Sequence, residues 1–171
     1  INDLKAEKRT IRFTKMSACS NDYIYVNCFD PENRVVSPES LAVSLSDRHN
    51  GVGSDGVILI EPSEIADARM TMFNRDGSEG MMCGNGIRCV AKYLFDNGIA
   101  KGAPDGVGRS VLRIDTRSGV KECTVITKNG LAYQVAVNMG KAELDPAQVP
   151  VALTGGPVVA RRVNIAGGQH E

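Results

Sequence analysis

One stretch restricts the folds open to this chain more than any other. Met81-Met82-Cys83-Gly84-Asn85-Gly86 leads directly into Ile87-Arg88-Cys89-Val90-Ala91-Lys92-Tyr93-Leu94-Phe95-Asp96-Asn97-Gly98. Ile87, Val90, Ala91, Leu94 and Phe95 recur at i, i+3, i+4, i+7 and i+8. That spacing puts them on one apolar face of a helix. Gly98 fits its C-terminal cap. Cys83 then falls just before the helix N-terminus, with two glycines beside it.

Around this helix the chain reads as short strands. Ile11 to Met16 and Tyr23 to Cys28 are β-prone, with the polar stretch Ser17 to Asp22 between them read as a loop. Ser37-Pro38-Glu39 is a helix start, with Ser as N-cap, Pro at the first position and an acid in the first turn, and the helix is predicted to run to about Asp47. A glycine-rich loop from Arg48 to Gly56 follows. Val57 to Ile60 and Arg69 to Phe73 look like buried strands, and Asn74 to Ser78 a turn. After a Gly/Pro-containing connector at Lys101 to Arg109, Ser110 to Arg117, Val120 to Thr127 and Leu131 to Asn138 form a predicted β-meander. Lys128-Asn129-Gly130 carries a strong hairpin signal. From Gly140 onward the sequence reads as extended chain and loops, through to Gly167-Gly168-Gln169-His170-Glu171.

Composition narrows the classes. The 171 residues are 42% hydrophobic and 23% charged, enough for a folded core. Lysine plus arginine number 20 and aspartate plus glutamate 20, a net charge of +0. That balance argues against a general nucleic-acid binder and against a polybasic membrane anchor. No apolar run approaches the roughly 20 residues of a membrane span. Ile1 to Thr10 is polar and charged, with no secretion signal, and residue 1 is expected to be a processed or trimmed start. The five cysteines, Cys19, Cys28, Cys83, Cys89 and Cys123, include no C-x-x-C pair, and there are 2 histidines. A structural zinc site or a disulfide framework is therefore not expected. Free thiols in a reducing cytoplasm are.

A thiol at a helix N-terminus faces unpaired backbone N–H groups and the positive end of the helix dipole. Such placement can lower a cysteine pKa from about 8.5 to roughly 3.5–7.5. Gly84 and Gly86 remove bulk beside it, and an α-carboxylate could bind the N–H groups of the same turn. A thiolate and a carboxylate cradle at one point suit chemistry on the carbon next to that carboxylate, with Asn85 orienting the ligand. An inert buried cysteine before a helix is the commoner case. Cys89, inside the helix, and Cys28 and Cys123, in strand-like runs, read as packing. The role of Cys19 is open.

Phe73-Asn74-Arg75-Asp76-Gly77-Ser78-Glu79, followed by Met82-Cys83-Gly84-Asn85-Gly86-Ile87-Arg88-Cys89, resembles the signature of the diaminopimelate epimerases. Asn21-Asp22-Tyr23 is similar to that family's early G-N-D-(F/Y) element. Asp47-Arg48-His49 with Gly51-Val52-Gly53-Ser54-Asp55-Gly56 is similar to its D-R-H-x-G-(I/V)-G-x-D-G loop. The blocks occur in order, and the resemblance runs from about Ile11 to Gly140. It implies an α/β (α+β) fold of two pseudo-symmetric halves, each a curved mixed β-sheet wrapped around a central helix, with the site between them. It also implies a cofactor-independent (PLP-independent) isomerase of lysine and peptidoglycan precursor biosynthesis, interconverting LL- and meso-2,6-diaminopimelate with one cysteine from each half. Carried over by residue, Cys83 is the catalytic acid or base of the first half. Gly84 and Asn85 bind substrate at the reacting centre, and Asn21 and Asn74 hold its polar ends. Without the resemblance, Asn21 and Asn74 would read as turn residues, Asp76-Gly77 as a loop-shaping turn and His49 as a hydrogen-bonded loop residue.

The sequence also departs from the family. Residues 1–140 are expected to form the N-terminal half-domain, and 141–171 a connector and the start of a second half. The family's second cysteine motif, (A/G)-C-G-(T/S)-G, is not found in this sequence, nor are its Gly-Asn-Pro-His element and Glu-Arg pair. One thiol returns a proton to the face it came from, so the chain alone is expected not to invert its substrate. The partner is expected to be the missing C-terminal half. A homodimer presenting two Cys83 residues is the alternative. Ala18 and Ser20 stand where the family usually carries glycines flanking the middle residue, which would strain the loop if those positions need positive φ. Another PLP-independent amino-acid racemase, histidine-racemase-like, is the near rival, while Asn85 argues against a proline racemase. A non-catalytic binding module that kept the fold is the rival from another class. A functional Cys83 should be alkylated much faster than Cys89.

Overall fold

A computed structural model describes residues 10–149 and, beyond them, 151–152, 155–160, 162–165 and 168–170. The polar run over residues 1–9, and Gly167 and Glu171 of the tail, lie outside the described residues. The chain divides into two compact units, 1–138 and 139–171.

In the first unit the strands are β1 (Thr14–Ala18), β2 (Asn21–Asn27), β3 (Gly56–Glu61), β4 (Ala68–Asn74), β5 (Glu79–Gly80), β6 (Ala103–Pro104), β7 (Ser110–Asp115), β8 (Lys121–Lys128) and β9 (Leu131–Val137). The helices are α1 (Pro38–Ser46) and α2 (Gly84–Asp96). Among the described residues these strands build one mixed sheet in the order β1-β2-β3-β4-β7-β8-β9, with short β5 on β4 and β6 on β7. The pairs β2–β3 and β4–β7 are parallel and the others antiparallel. Parallel neighbours need a crossover, usually helical. Here the β2-to-β3 crossover carries α1, and the β4-to-β7 crossover carries α2.

The two crossovers cover opposite faces of the sheet. Successive strand residues face opposite ways. Tyr23 and Tyr25 of β2, Ile58 and Ile60 of β3 and Met70 and Met72 of β4 join Ile87, Val90, Leu94 and Phe95 of α2 in one core. Ile24 and Val26, Val57 and Leu59, and Phe73 join Ala42 of α1 in the other. This is why Tyr23–Val26 and Val57–Ile60 read as unbroken apolar runs: those strands are covered on both sides. On β7 and β8 only Leu112, Ile114, Cys123 and Val125 are buried, alternating with more exposed neighbours. Each fully buried aliphatic side chain contributes roughly 1.5–3 kcal/mol, so Ile87, Val90 and Leu94, all 0% exposed, hold α2 to the sheet. Gly86 permits the close approach: a Cβ there would stand 2.6 Å from Ile58 Cδ1.

Several element boundaries differ from expectation. The stretch Ser17–Asp22 is not an open loop, because Ala18 and Asn21 are paired ends of a β-hairpin. Its turn is Cys19-Ser20, at φ 50° and 66°. Two-residue hairpin turns of this kind need left-handed backbone at both positions to match strand twist. The strained positions are thus Cys19 and Ser20, while Ala18 lies in β1. The turn Asn129-Gly130 solves the same problem with the preferred residues, at φ 54° and 79°. Ser37 stands at the N-cap of α1, but its side chain makes no capping bond.

The second unit contains a short antiparallel hairpin, β10 (Val163–Ile165) with β11 (Gly168–His170). No helix among the described residues is long and apolar enough to cross a membrane.

Candidate active site

The site forms where β2, β3, β4 and α2 meet. Tyr23 is in register with Gly56, and Gly56 with Asn74. The start of β2, the start of β3 and the end of β4 therefore lie at one end of the sheet. The N-terminus of α2 is tied to that end by a hydrogen bond from Asn85 Nδ2 to Asn21 Oδ1, 3.0 Å.

Cys83 is the N-cap of α2, with extended backbone (φ −127°, ψ 114°), and its Sγ accepts the Gly86 N–H at 3.3 Å. Sulfur takes the place of the oxygen that usually caps a helix at this position. The Ile87 N–H reaches the Cys83 carbonyl. The N–H groups of Gly84 and Asn85 have no partner among the described residues, as expected for the first turn of a helix. They leave two backbone donors beside a half-buried thiol, an arrangement able to receive an anion. Beneath it, the Tyr25 hydroxyl donates to the Gly86 carbonyl at 3.4 Å. The Tyr23 hydroxyl is pushed up to about 12 by burial and by negative charge and hydrogen bonding at Cys83. Tyr23 thus stays a neutral phenol beside the sulfur.

Asn21 opens β2 and Asn74 closes β4, so both are strand ends rather than free-loop residues. Asn21, Cys83, Gly84 and Asn85 come together. Asn74 shares their end of the sheet, where the Arg75 N–H donates to the Asp55 carbonyl. The Asn74 side chain donates to Ser78 Oγ at 3.0 Å. Asp76 Oδ1 accepts from the Ser78 N–H and hydroxyl, and Gly77 takes φ 85°, so this pair shapes the turn. The His49 N–H donates to Asp47 Oδ1.

Three residues given no role by the sequence hold this arrangement. Asp55 Oδ2 accepts from Asn21 Nδ2 at 3.3 Å and from the Asp22 N–H at 3.1 Å. Arg48 bridges Asp22 at 2.7 Å and Asp55 at 3.0 Å. The hydrogen-bonded Arg48 guanidinium holds the Asp22 carboxyl down at about 2. Arg88, one helical turn after Asn85, donates to Asn85 Oδ1 at 2.7 Å and to Cys19 Sγ at 3.3 Å. The i, i+3 spacing of Asn85 and Arg88 was the available signal.

The other thiols lie elsewhere. Cys89 and Cys123 are buried in the α2 core, where burial pushes both up, Cys123 to about 12. Cys28 is half-buried on the α1 side and raised chiefly by burial. A cleft of about 430 Å³ lined by Cys28, Arg34, Glu61 and Arg69 contains none of the Cys83 cluster. Among the described residues, no group of three or more His, Cys, Asp or Glu side chains could hold a metal ion.

The family model described as diaminopimelate epimerase matches residues 13–144. The diaminopimelate epimerase of Acetivibrio thermocellus is 50% identical over 141 residues, covering 82% of this chain and 47% of that protein. That of Desulfovibrio desulfuricans is 46% identical over 167 residues, covering 94% and 55% respectively. The chain spans about half the length of these curated relatives. Among solved structures, a hydroxyproline epimerase from Agrobacterium vitis superposes with a TM-score of 0.55 at 16% identity, over 78% of this chain and 42% of that one. A methylitaconate-delta-isomerase does so at 0.55 and 19%, over 71% and 36%. At such identities these two speak for the fold alone, a curled mixed sheet with two helices. The chain belongs to the diaminopimelate epimerase family.

Proposed function

We propose that residues 1–140 are the first half of a two-thiol epimerase site, and that Cys83 exchanges the α-proton of LL-2,6-diaminopimelate. The observation that carries this reading is the Cys83 cap. Its Sγ lies on the first turn of α2, beside the unpaired N–H groups of Gly84 and Asn85 and the Asn85–Asn21 amide pair.

The substrate's α-carboxylate takes the free N–H groups of the turn, with Asn85 and Asn21 at its polar groups and Asn74 at the far end. The Cys83 thiolate accepts the α-proton, forming an S–H bond. The C–H electron pair passes into the adjacent carboxylate, whose extra charge is met by the same N–H groups. The half-buried Cys83 thiol stays close to the carbanion it forms. Inversion needs a second acid on the opposite face, supplied by the other half of the enzyme. Cys83 alone gives the proton back to the same face. The metabolic setting is lysine and peptidoglycan precursor synthesis in the cytoplasm.

The test is complementation. The chain is mixed with the separately produced remainder of the Desulfovibrio desulfuricans relative, and meso-diaminopimelate is followed from the LL form. Product that disappears with Cys83→Ala supports the reading. Product that persists in Cys83→Ala overturns the assignment of Cys83. Product formed by the lone chain, rising with its concentration, would instead favour two copies of Cys83 acting across a dimer.

A further inference from the structure

We propose that Arg88 is a positioning residue that, with Asp55, fixes the orientation of the Asn85 and Asn21 side-chain amides. The four side chains form one hydrogen-bonded chain. Arg88 Nη2 donates to Asn85 Oδ1 at 2.7 Å, Asn85 Nδ2 to Asn21 Oδ1 at 3.0 Å, and Asn21 Nδ2 to Asp55 Oδ2 at 3.3 Å.

The two ends determine the direction of the whole chain. A guanidinium has donors and no acceptor, and an ionised carboxylate has acceptors and no donor. Each amide between them could face either way by itself. Flipping Asn85 would set its NH₂ against Arg88, donor against donor. Flipping Asn21 would set its carbonyl against Asp55, acceptor against acceptor. The charged ends also strengthen the bonds they make. Arg48 holds Asp55 Oδ1 at 3.0 Å, which leaves Oδ2 to Asn21 and the Asp22 N–H. Arg88 is braced in turn by Cys19 Sγ at 3.3 Å.

The consequence is selectivity. In the locked arrangement each amide keeps one N–H unused. With the free N–H groups of Gly84 and Asn85, and the positive charge of Arg88 behind Asn85, the site is set for an anionic acceptor such as a carboxylate. Removing Arg88 frees Asn85 to present its carbonyl oxygen instead, which repels a carboxylate. This inference rests on the proposal that Asn85 and Asn21 meet the substrate.

The test reads the amides directly. In ligand-free wild-type chain, the side-chain NH₂ signals of Asn85 and Asn21 should be dispersed in ¹H–¹⁵N spectra and exchange with D₂O more slowly than those of exposed Asn129. Fast exchange in the wild type overturns the proposal without any variant. In Arg88→Met both pairs of signals should collapse toward free-amide positions while the α2 backbone signals stay in place. Arg88→Lys, which keeps a cationic donor, should retain part of the dispersion. Unmoved amide signals in Arg88→Met overturn the proposal. The affinity of Arg88→Met for LL-diaminopimelate should fall about tenfold, the usual effect of a lost charge-assisted contact. An unchanged affinity with collapsed amides also overturns it. A wild-type chain with locked amides that binds no diaminopimelate contradicts the functional reading and not the role of Arg88.

Discussion

The side-chain amides of Asn85 and Asn21 are bonded at 3.0 Å although 64 positions separate them in sequence. One stands on the first turn of α2 and the other on the first residue of β2. Their bond joins the helix N-terminus to the sheet end, and Asp55 anchors it from below through Asn21 Nδ2. Asn21→Asp tests that anchor. It places two carboxylates where a donor and an acceptor now meet, so one of them must rise in pKa. The variant should lose about 1–3 kcal/mol near neutral pH. Because the raised carboxyl protonates on acidification, the loss should shrink toward about pH 4. Urea titrations at the two pH values give the comparison, and a loss independent of pH would contradict it.

Gly86 is where α2 comes closest to β3. Gly86→Ala drives a methyl to 2.6 Å from Ile58 Cδ1 and 3.3 Å from Met70 Cε, so the packed Ile58 side chain or the helix must give way. The expected destabilisation is about 1–3 kcal/mol. Ile58→Val, which removes Cδ1, costs about 0.5–1.5 kcal/mol alone. The double variant should therefore be more stable than the sum of the single losses predicts. Strict additivity in denaturant melts would show that the two sites do not touch.

How much of this was legible in the sequence follows from which signals are local. The α2 periodicity, the buried strand Val57–Ile60 and the Asn129-Gly130 turn are local patterns, and they appear as expected; Arg69–Phe73, also expected to be buried, has Arg69 exposed. The loop expected at Ser17–Asp22 is instead a two-residue hairpin, missed because Cys19-Ser20 is not a turn pair that composition favours. Asn21, Gly84, Asn85 and Cys83 were visible through motif blocks. Arg88 has a local trace, its i, i+3 spacing from Asn85 on α2, whereas the roles of Asp55 and Arg48 depend on long-range pairings with Asn21 and Asp22 that no local pattern encodes.

That hairpin carries its own prediction. Ser20 holds φ 66° and Cys19 φ 50°, and each non-glycine residue in left-handed backbone costs about 1–2 kcal/mol. Ser20→Gly should stabilise the chain by about 1 kcal/mol and raise the melting temperature by roughly 2–4 °C. A lower melting temperature in calorimetry would mean the turn is not strained.

The Arg48–Asp22 pair predicts a pH signature. The Asp22 carboxyl sits at about 2 instead of the usual 3.8, first because Arg48 hydrogen-bonds to it. Its folded pKa lies below the unfolded one. Its stabilisation is therefore complete well above 3.8 and is lost as pH falls through about 2. Arg48 is 47% exposed, so salt should weaken the pair. Wild type and Asp22→Asn should differ in urea midpoint near pH 6 and converge near about pH 2, and added salt should narrow the gap near pH 6. A gap that widens on acidification would reverse the assignment.

The central claim is that Cys83 moves a proton on one face only. The most direct measurement incubates this chain with LL-diaminopimelate in D₂O and follows α-deuterium and stereochemistry together by NMR. The account predicts slow α-exchange without the meso form, abolished by Cys83→Ala. Meso product from the chain alone, or exchange that survives Cys83→Ala, would contradict it.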